Sequence, residues 1–196
     1  MSIKSDLWIK EAARNGMITP FADEQVRAVE NAPVVSYGVS SYGYDMRVAN
    51  EWQVWRQPWE LEQNNVYPVI DPKMNNLQDF MRPVTANFLC IPPQTFVLCR
   101  SVERFHIPRT VGVIVVGKST YARCGLQVTC TPLEPEWEGY VTIELYNSAP
   151  YPLTVYANEG IAQCVFFESA IPCLQSYADK KGKYQHQTGI TMPIVS

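Results

Sequence analysis

Apolar and polar positions change rhythm along the chain. Over residues 5–17 they recur at helical spacing, with Trp8, Ile9, Ala12 and Ala13 on one side. Ser5 or Asp6 can cap that segment and Gly16 can end it, so a short amphipathic helix is expected. A second short helix is expected over 22–30. Beyond it helical periodicity fades, and fifteen prolines leave few windows for three uninterrupted helical turns. Residues 31–57, rich in Tyr, Val, Ser, Gly and Trp, predict irregular strands and turns. Residues 58–87 carry Pro and Asn pairs and predict a long loop with little regular structure.

From about residue 88 strand patterns dominate: Phe96–Val102, Val111–Gly117, Gln127–Thr131, Tyr140–Tyr146, Leu153–Tyr156 and Ile161–Glu168. Pro, Gly or Asn turns separate them. Short strands at this spacing predict an all-β sandwich or barrel, not alternating βα units. No repeat, charge block or low-complexity stretch marks a boundary, so residues 1–196 read as one domain.

Composition narrows the class. Apolar residues make up 46% and charged residues 18% of the chain, so it is no disordered polymer, and surface remains for burial between subunits. A net charge of −3 argues against general nucleic-acid binding, which needs a basic field, but not against a small anionic ligand. Six cysteines form no C-x-x-C pair and several sit in apolar runs, which predicts buried thiols in a reducing cytoplasm. The charged first sixteen residues lack the apolar region of a signal peptide, and the longest apolar runs reach about half a membrane span. A cytoplasmic protein with no membrane segment is expected.

Gly112-Val-Ile-Val-Val-Gly117-Lys118-Ser119 satisfies the P-loop pattern letter for letter. The four intervening residues are β-branched and apolar, as in a strand interior, and Gly125 follows too soon for a crossover helix. The pattern is therefore refused as a P-loop. Lys118, Ser119 and Arg123 still offer a point charge, a hydroxyl and a guanidinium fork on one turn, a set suited to phosphate. The zinc deaminase signature H-x-E with P-C-x-x-C is absent around His106 and His186, and His106 reads as structural.

In Tyr140–Tyr146, alternation puts Val141, Ile143 and Leu145 on one face and Tyr140, Thr142, Glu144 and Tyr146 on the other. Two readings stay open for Glu144: a carboxylate on a solvated face, or one turned into a lined cavity where desolvation readies it as a general base. Glu134, Glu136 and Glu138 around Trp137 read as a solvated turn. Residues 176–189 are lysine-rich and glycine-punctuated, either a frayed terminus or a tail able to fold over a polyanion.

Taken together, several of these stretches resemble the dCTP deaminase family, a branch of the trimeric dUTPase-like β folds. They are Ser36–Asp45, Gly117–Gly125, Pro132–Glu144, Ala157–Gln163 and the tail with Tyr177, Lys183, Tyr184 and Gln187. The resemblance implies a mainly β, distorted barrel or jelly-roll-like fold with a short N-terminal helix, and a mobile C-terminal lid at 176–196. It implies hydrolysis of dCTP to dUTP and ammonia, supplying dUTP for thymidine nucleotide synthesis, with Glu144 as the catalytic carboxylate and no zinc. Ser119 and Arg123 correspond to residues that position water and base from an adjoining subunit of a homotrimer. Lys118, Ser119, Thr120, Tyr121, Ala122 and Arg123, with Thr142, Ile143, Glu144, Gln163, Tyr177, Lys183 and Gln187, correspond to nucleotide contacts. Mg²⁺ is implied through the triphosphate, and dTTP as a feedback inhibitor. Glu134 stands where many members, including bifunctional deaminase–diphosphatases, carry Asp, which lowers the expectation of diphosphatase activity. Two rivals remain: a dUTP diphosphatase or bifunctional enzyme on the same fold, and a non-catalytic trimeric nucleotide-binding module.

Overall fold

The structure, a computed structural model, describes residues 2–61 and 69–195. The chain opens with β1 (Ser2–Ile3) and α1 (Asp6–Arg14), which buries Ile9 and Ala13 as the spacing requires. β2 (Ile18–Thr19) follows. No helix forms over 22–30. β3 (Val26–Val29) runs there instead and pairs with β4 (Ala32–Ser40) across Glu30 and Asn31. Those two residues have φ of 49° and 66°, the geometry of a two-residue hairpin whose twist matches its strands. The β-branched Val26 and Val29, joined to β4 by a turn-forming Asn, decide the segment against its weak helical spacing.

Residues 31–57 are likewise more regular than expected, because β4 leads into the thirteen-residue strand β5 (Gly43–Trp55). Of the loop expected over 58–87, residues 62–68 lie outside the described residues. The remainder holds α2 (Pro58–Leu61), a 3₁₀ turn (Pro72–Met74), α3 (Leu77–Phe80) and β6 (Met81–Thr85). β6 pairs with Glu51–Trp55 of β5. Its Pro83 is tolerated because β6 is an edge, with no second neighbour needing that N–H.

The strand-dense half then follows: β7 (Phe88–Ile91), β8 (Thr95–His106), β9 (Val111–Gly117), α4 (Ser119–Ala122) and β10 (Leu126–Thr129). It ends with β11 (Glu138–Asn147), β12 (Leu153–Tyr156) and β13 (Gly160–Glu168). Among the described residues eleven strands form one branched, curled sheet in the order β1-β13-β5-β8-β11-β10, and β12 pairs separately with β7. The fold is thus mainly β, a distorted open barrel with few helices. Tyr44, Trp52, Phe105, Ile143, Leu145 and Phe166 lie at its centre.

One irregularity positions the chemistry. Between the pairs Tyr140↔Arg104 and Thr142↔Arg100, β8 spans two more residues than β11. Ser101 fills the gap: its hydroxyl accepts from Val141 N at 2.9 Å and donates to Glu103 O at 2.5 Å. The slack stays in β8, so β11 alternates without a break, with Val141, Ile143 and Leu145 buried and Thr142, Glu144 and Tyr146 on the other face.

All six cysteines are free, but they are not all buried. Cys99 and Cys164 are buried, Cys130 and Cys173 half-buried, and Cys90 and Cys124 exposed. Among the described residues no helix is long and apolar enough to cross a membrane.

Candidate active site

Glu144 faces a cavity of about 560 Å³. It is lined by Phe96 and Leu98 of β8, by Thr131 to Glu134 and Trp137, and by Tyr177, Tyr184, Gln187, Thr191 and Pro193 of the C-terminal segment. Burial pushes the Glu144 carboxyl above the ordinary glutamate range, its own backbone N–H offsetting part of the rise. Its Oε2 is buried and has no hydrogen-bond partner among the described residues. A desolvated carboxylate with a free acceptor is equipped to take a proton. Cys130 lies close enough for Glu144 to add to the burial that raises its thiol, so both groups favour their protonated forms.

The tail is docked against the sheet. Ser176 is fully buried, and its N–H donates to Asp179 Oδ2 at 3.0 Å while Asp179 N donates to Ser176 Oγ. Arg109 holds the same Asp179 and also Glu136, each at 2.7 Å. Lys180 pairs with Glu134 at 2.9 Å, and Glu138 pairs with Arg104 and lies 3.3 Å from His186. The three glutamates around Trp137 are therefore no freely solvated turn; each anchors the tail or a neighbouring strand. Trp137 itself is buried, its indole N–H donating to Tyr184 O.

Further along, the tail runs beside β11. Gln187 O accepts from Tyr140 N, His186 N donates to Glu138 O, and Gln187 bridges to Gly139. Gly139 has φ +151°, and a Cβ there would lie 2.7 Å from Gln187 N, so only glycine admits this approach. The Thr142 hydroxyl then bonds both Gln187 and Thr191. The strap ends near α3, where Val195 N donates to Asn75 Oδ1.

Of the residues expected at the site, Glu144, Thr142, Tyr177 and Gln187 come together around this cavity. Lys183 is exposed and sits over the Tyr184 ring. Ile143 points its side chain into the core, leaving only its backbone toward the cavity face. Lys118, Ser119, Thr120, Tyr121, Ala122, Arg123 and Gln163 do not line the cavity.

Those residues cluster around α4. The turn is pinned at three points: Lys118 N donates to Ile161 O, the buried Tyr121 hydroxyl accepts from Tyr156 N, and Gly125 O accepts from Ser148 N and Oγ. Ser119, Thr120, Ala122 and Arg123 are left exposed. Lys118 itself is not a free charge, since its Nζ is 2.5 Å from Asp45 Oδ2. Gln163 donates to Ser40 Oγ beside that pair. Asp45, Trp137, Tyr184, Thr191 and Leu77 received no role from sequence. Asp45 is signalled only by closing the Ser36–Asp45 stretch, and Leu77 lies in the 58–87 segment that the pattern reads as a loop.

A half-buried carboxylate with an unpartnered oxygen, in a cavity lined by the chain's own C-terminal segment, is an arrangement equipped to move protons on a mainly β scaffold. The chain belongs to the dCTP deaminase-like family, whose model matches residues 3–169. It is 54% identical over 193 residues to a dCTP deaminase of Acidobacterium capsulatum, covering 98% of this chain and 99% of that one. A dCTP deaminase of Chlamydia pneumoniae is 52% identical over 199 residues and the whole of both chains. Among solved structures, a 2'-deoxycytidine 5'-triphosphate deaminase from Agrobacterium tumefaciens superposes with TM-score 0.60 at 14% identity, covering 85% of this chain and 48% of that one. That last likeness concerns the fold.

Proposed function

We propose that this chain hydrolyses the 4-amino group of dCTP, yielding dUTP and ammonia, with Glu144 moving the protons. The observation that carries the reading is Glu144 itself, desolvated, with a free carboxylate oxygen facing a nucleoside-sized cavity. Full-length relatives named dCTP deaminase supply the substrate. In the reaction Glu144 takes a proton from water and the hydroxide adds to C4 of the ring. The carboxyl gives that proton to N3, then takes the second from the new C4 hydroxyl and hands it to the departing amine, so one water enters and one ammonia leaves. Thr142 and Gln187 hold the strap beside the reacting ring, and the aromatic walls limit water.

The site residues fall into two groups that do not share a cavity, Glu144 with the strap and Lys118–Arg123 with Gln163. One nucleotide can meet both if the exposed Ser119 and Arg123 serve a neighbouring copy, which supports a homotrimer with intersubunit sites. Arg123 then stabilises charge and Ser119 orients water, the work that zinc performs in other deaminases. Mg²⁺ carried on the triphosphate oxygens would neutralise phosphate charge in this reading. The same reading places the enzyme in the cytoplasm, feeding dUTP to thymidine nucleotide synthesis, with dTTP as a feedback inhibitor.

The test is ammonia release from dCTP, CTP, dCMP and dC, with pyrophosphate measured in the same reactions. Ammonia from dCTP alone, Mg²⁺-dependent and free of pyrophosphate, is expected. Pyrophosphate release would favour the diphosphatase reading, and full turnover by Glu144→Gln would remove the assigned base.

A further inference from the structure

Beneath the turn that carries Ser119 and Arg123 lies a buried charge pair. Asp45 is the third residue of β5, paired with Gly38 of β4 on one side and Gln163 of β13 on the other, with 7% of its side chain exposed. The Lys118 side chain, 11% exposed, reaches it at 2.5 Å. The same Oδ2 accepts from Gln25 Nε2 at 3.1 Å, and Gln25 also donates to Gly38 O. A buried ammonium and carboxylate hold each other in place, because neither tolerates losing its partner away from water.

Lys118 is also where α4 begins: its carbonyl accepts from Ala122 N, and Ser119 O accepts from Arg123 N. Tyr121 and Gly125 pin the middle and end of the turn, and the ion pair pins its start. The exposed side chains of Ser119 and Arg123 therefore take their direction from a frame held at its start by two contacts of Lys118, its N–H on Ile161 O and its ammonium on Asp45.

We infer that Asp45 is a positioning residue, holding Lys118 and through it the direction in which Ser119 and Arg123 are presented to the neighbouring subunit's Glu144 cavity. The inference rests on the intersubunit reading proposed above. A Lys118 ammonium offers three donors, so bonding to Asp45 leaves two for a phosphate of the same nucleotide. Asp45 then acts across the interface without touching substrate.

The experiment is subunit mixing. Asp45→Asn alone is expected to assemble and to lower kcat/KM for dCTP by roughly 10- to 100-fold, the range for a displaced positioning frame. Mixed and reassembled one-to-one with Glu144→Gln chains, it should recover about a quarter of wild-type activity, the share of interfaces where both intact halves meet. Glu144→Gln mixed with Arg123→Ala is the control for the intersubunit reading. Recovery in the control but not with Asp45→Asn would overturn the role of Asp45 and leave that reading standing. Failure of both mixtures in verified mixed trimers would overturn both. Should the unpaired ammonium unfold Asp45→Asn, the neutral amide pair Asp45→Asn with Lys118→Gln takes its place, and the same recovery or its absence decides.

Discussion

The Thr142 hydroxyl donates to Gln187 Oε1 at 3.0 Å, and Thr142 Oγ1 itself accepts from Thr191 N at 3.1 Å. A side chain two residues from Glu144 thus ties the strap at two points.

Thr142→Val keeps the shape and removes both bonds. At about 1 kcal/mol each, their loss should raise KM for dCTP by roughly 10- to 30-fold. Steady-state kinetics beside the melting temperature checks this, since the core below Thr142 is untouched and Tm should barely move.

Glu144→Gln should lose roughly 10³-fold in kcat while still binding dCTP, because an amide cannot accept the proton. In the wild type, the acid limb of kcat/KM should lie above the ordinary glutamate range, since the base must be ionised and burial raises its pKa. The same shift governs stability. A carboxyl whose folded pKa is raised stabilises the fold most when protonated and loses that contribution as pH rises through the folded pKa. Glu144→Gln should therefore melt higher than wild type at neutral pH, with the difference shrinking on acidification. Thermal melts across pH decide it; an inactive variant that melts lower at pH 7 would contradict the burial argument.

Gly139→Ala places a Cβ 2.7 Å from Gln187 N on a backbone that disfavours side chains. The strap beyond Tyr184 should detach while the barrel stays assembled. Limited proteolysis should then cut after residue 184 in the variant even with a dCTP analogue and Mg²⁺ present, and KM should rise with kcat falling less.

Inactive Glu144→Gln and Arg123→Ala chains, mixed and reassembled, should regain about a quarter of wild-type activity if they meet across an interface. Mass spectrometry of the mixed assemblies must show that both chains are present. Mixed trimers without activity would put both residues in one subunit's site.

The sequence was most legible where one rule operated alone. β9 and β12 have the expected bounds to the residue, because apolar alternation between turn residues leaves little else to form. The face of Glu144 was readable for the same reason. What period alone could not tell was whether that face met solvent or a wall, since Tyr177, Gln187 and Thr191 come from about 33 to 47 residues downstream and local pattern carries no such contact. The segment over 22–30 misled because Val26 and Val29 fit both a helix face and a short strand; the hairpin partner decided it. The Lys118–Asp45 pair spans 73 residues of sequence and was legible only as two charged letters in separate stretches.

The three-point anchoring of α4 separates what the cell would notice first. Substitutions at Ser119 and Arg123 remove side chains that face outward from their own chain, so they should shift folding stability by no more than about 0.5 kcal/mol. Changes at Tyr121, Gly125 or Asp45 break anchors and should lower the amount of protein that survives quality control. A mutational survey scored by abundance would find Ser119 and Arg123 permissive, whereas one scored by growth that depends on the reaction would find them intolerant. Positions where those two maps diverge would outline the functional surface of this turn without a bound nucleotide.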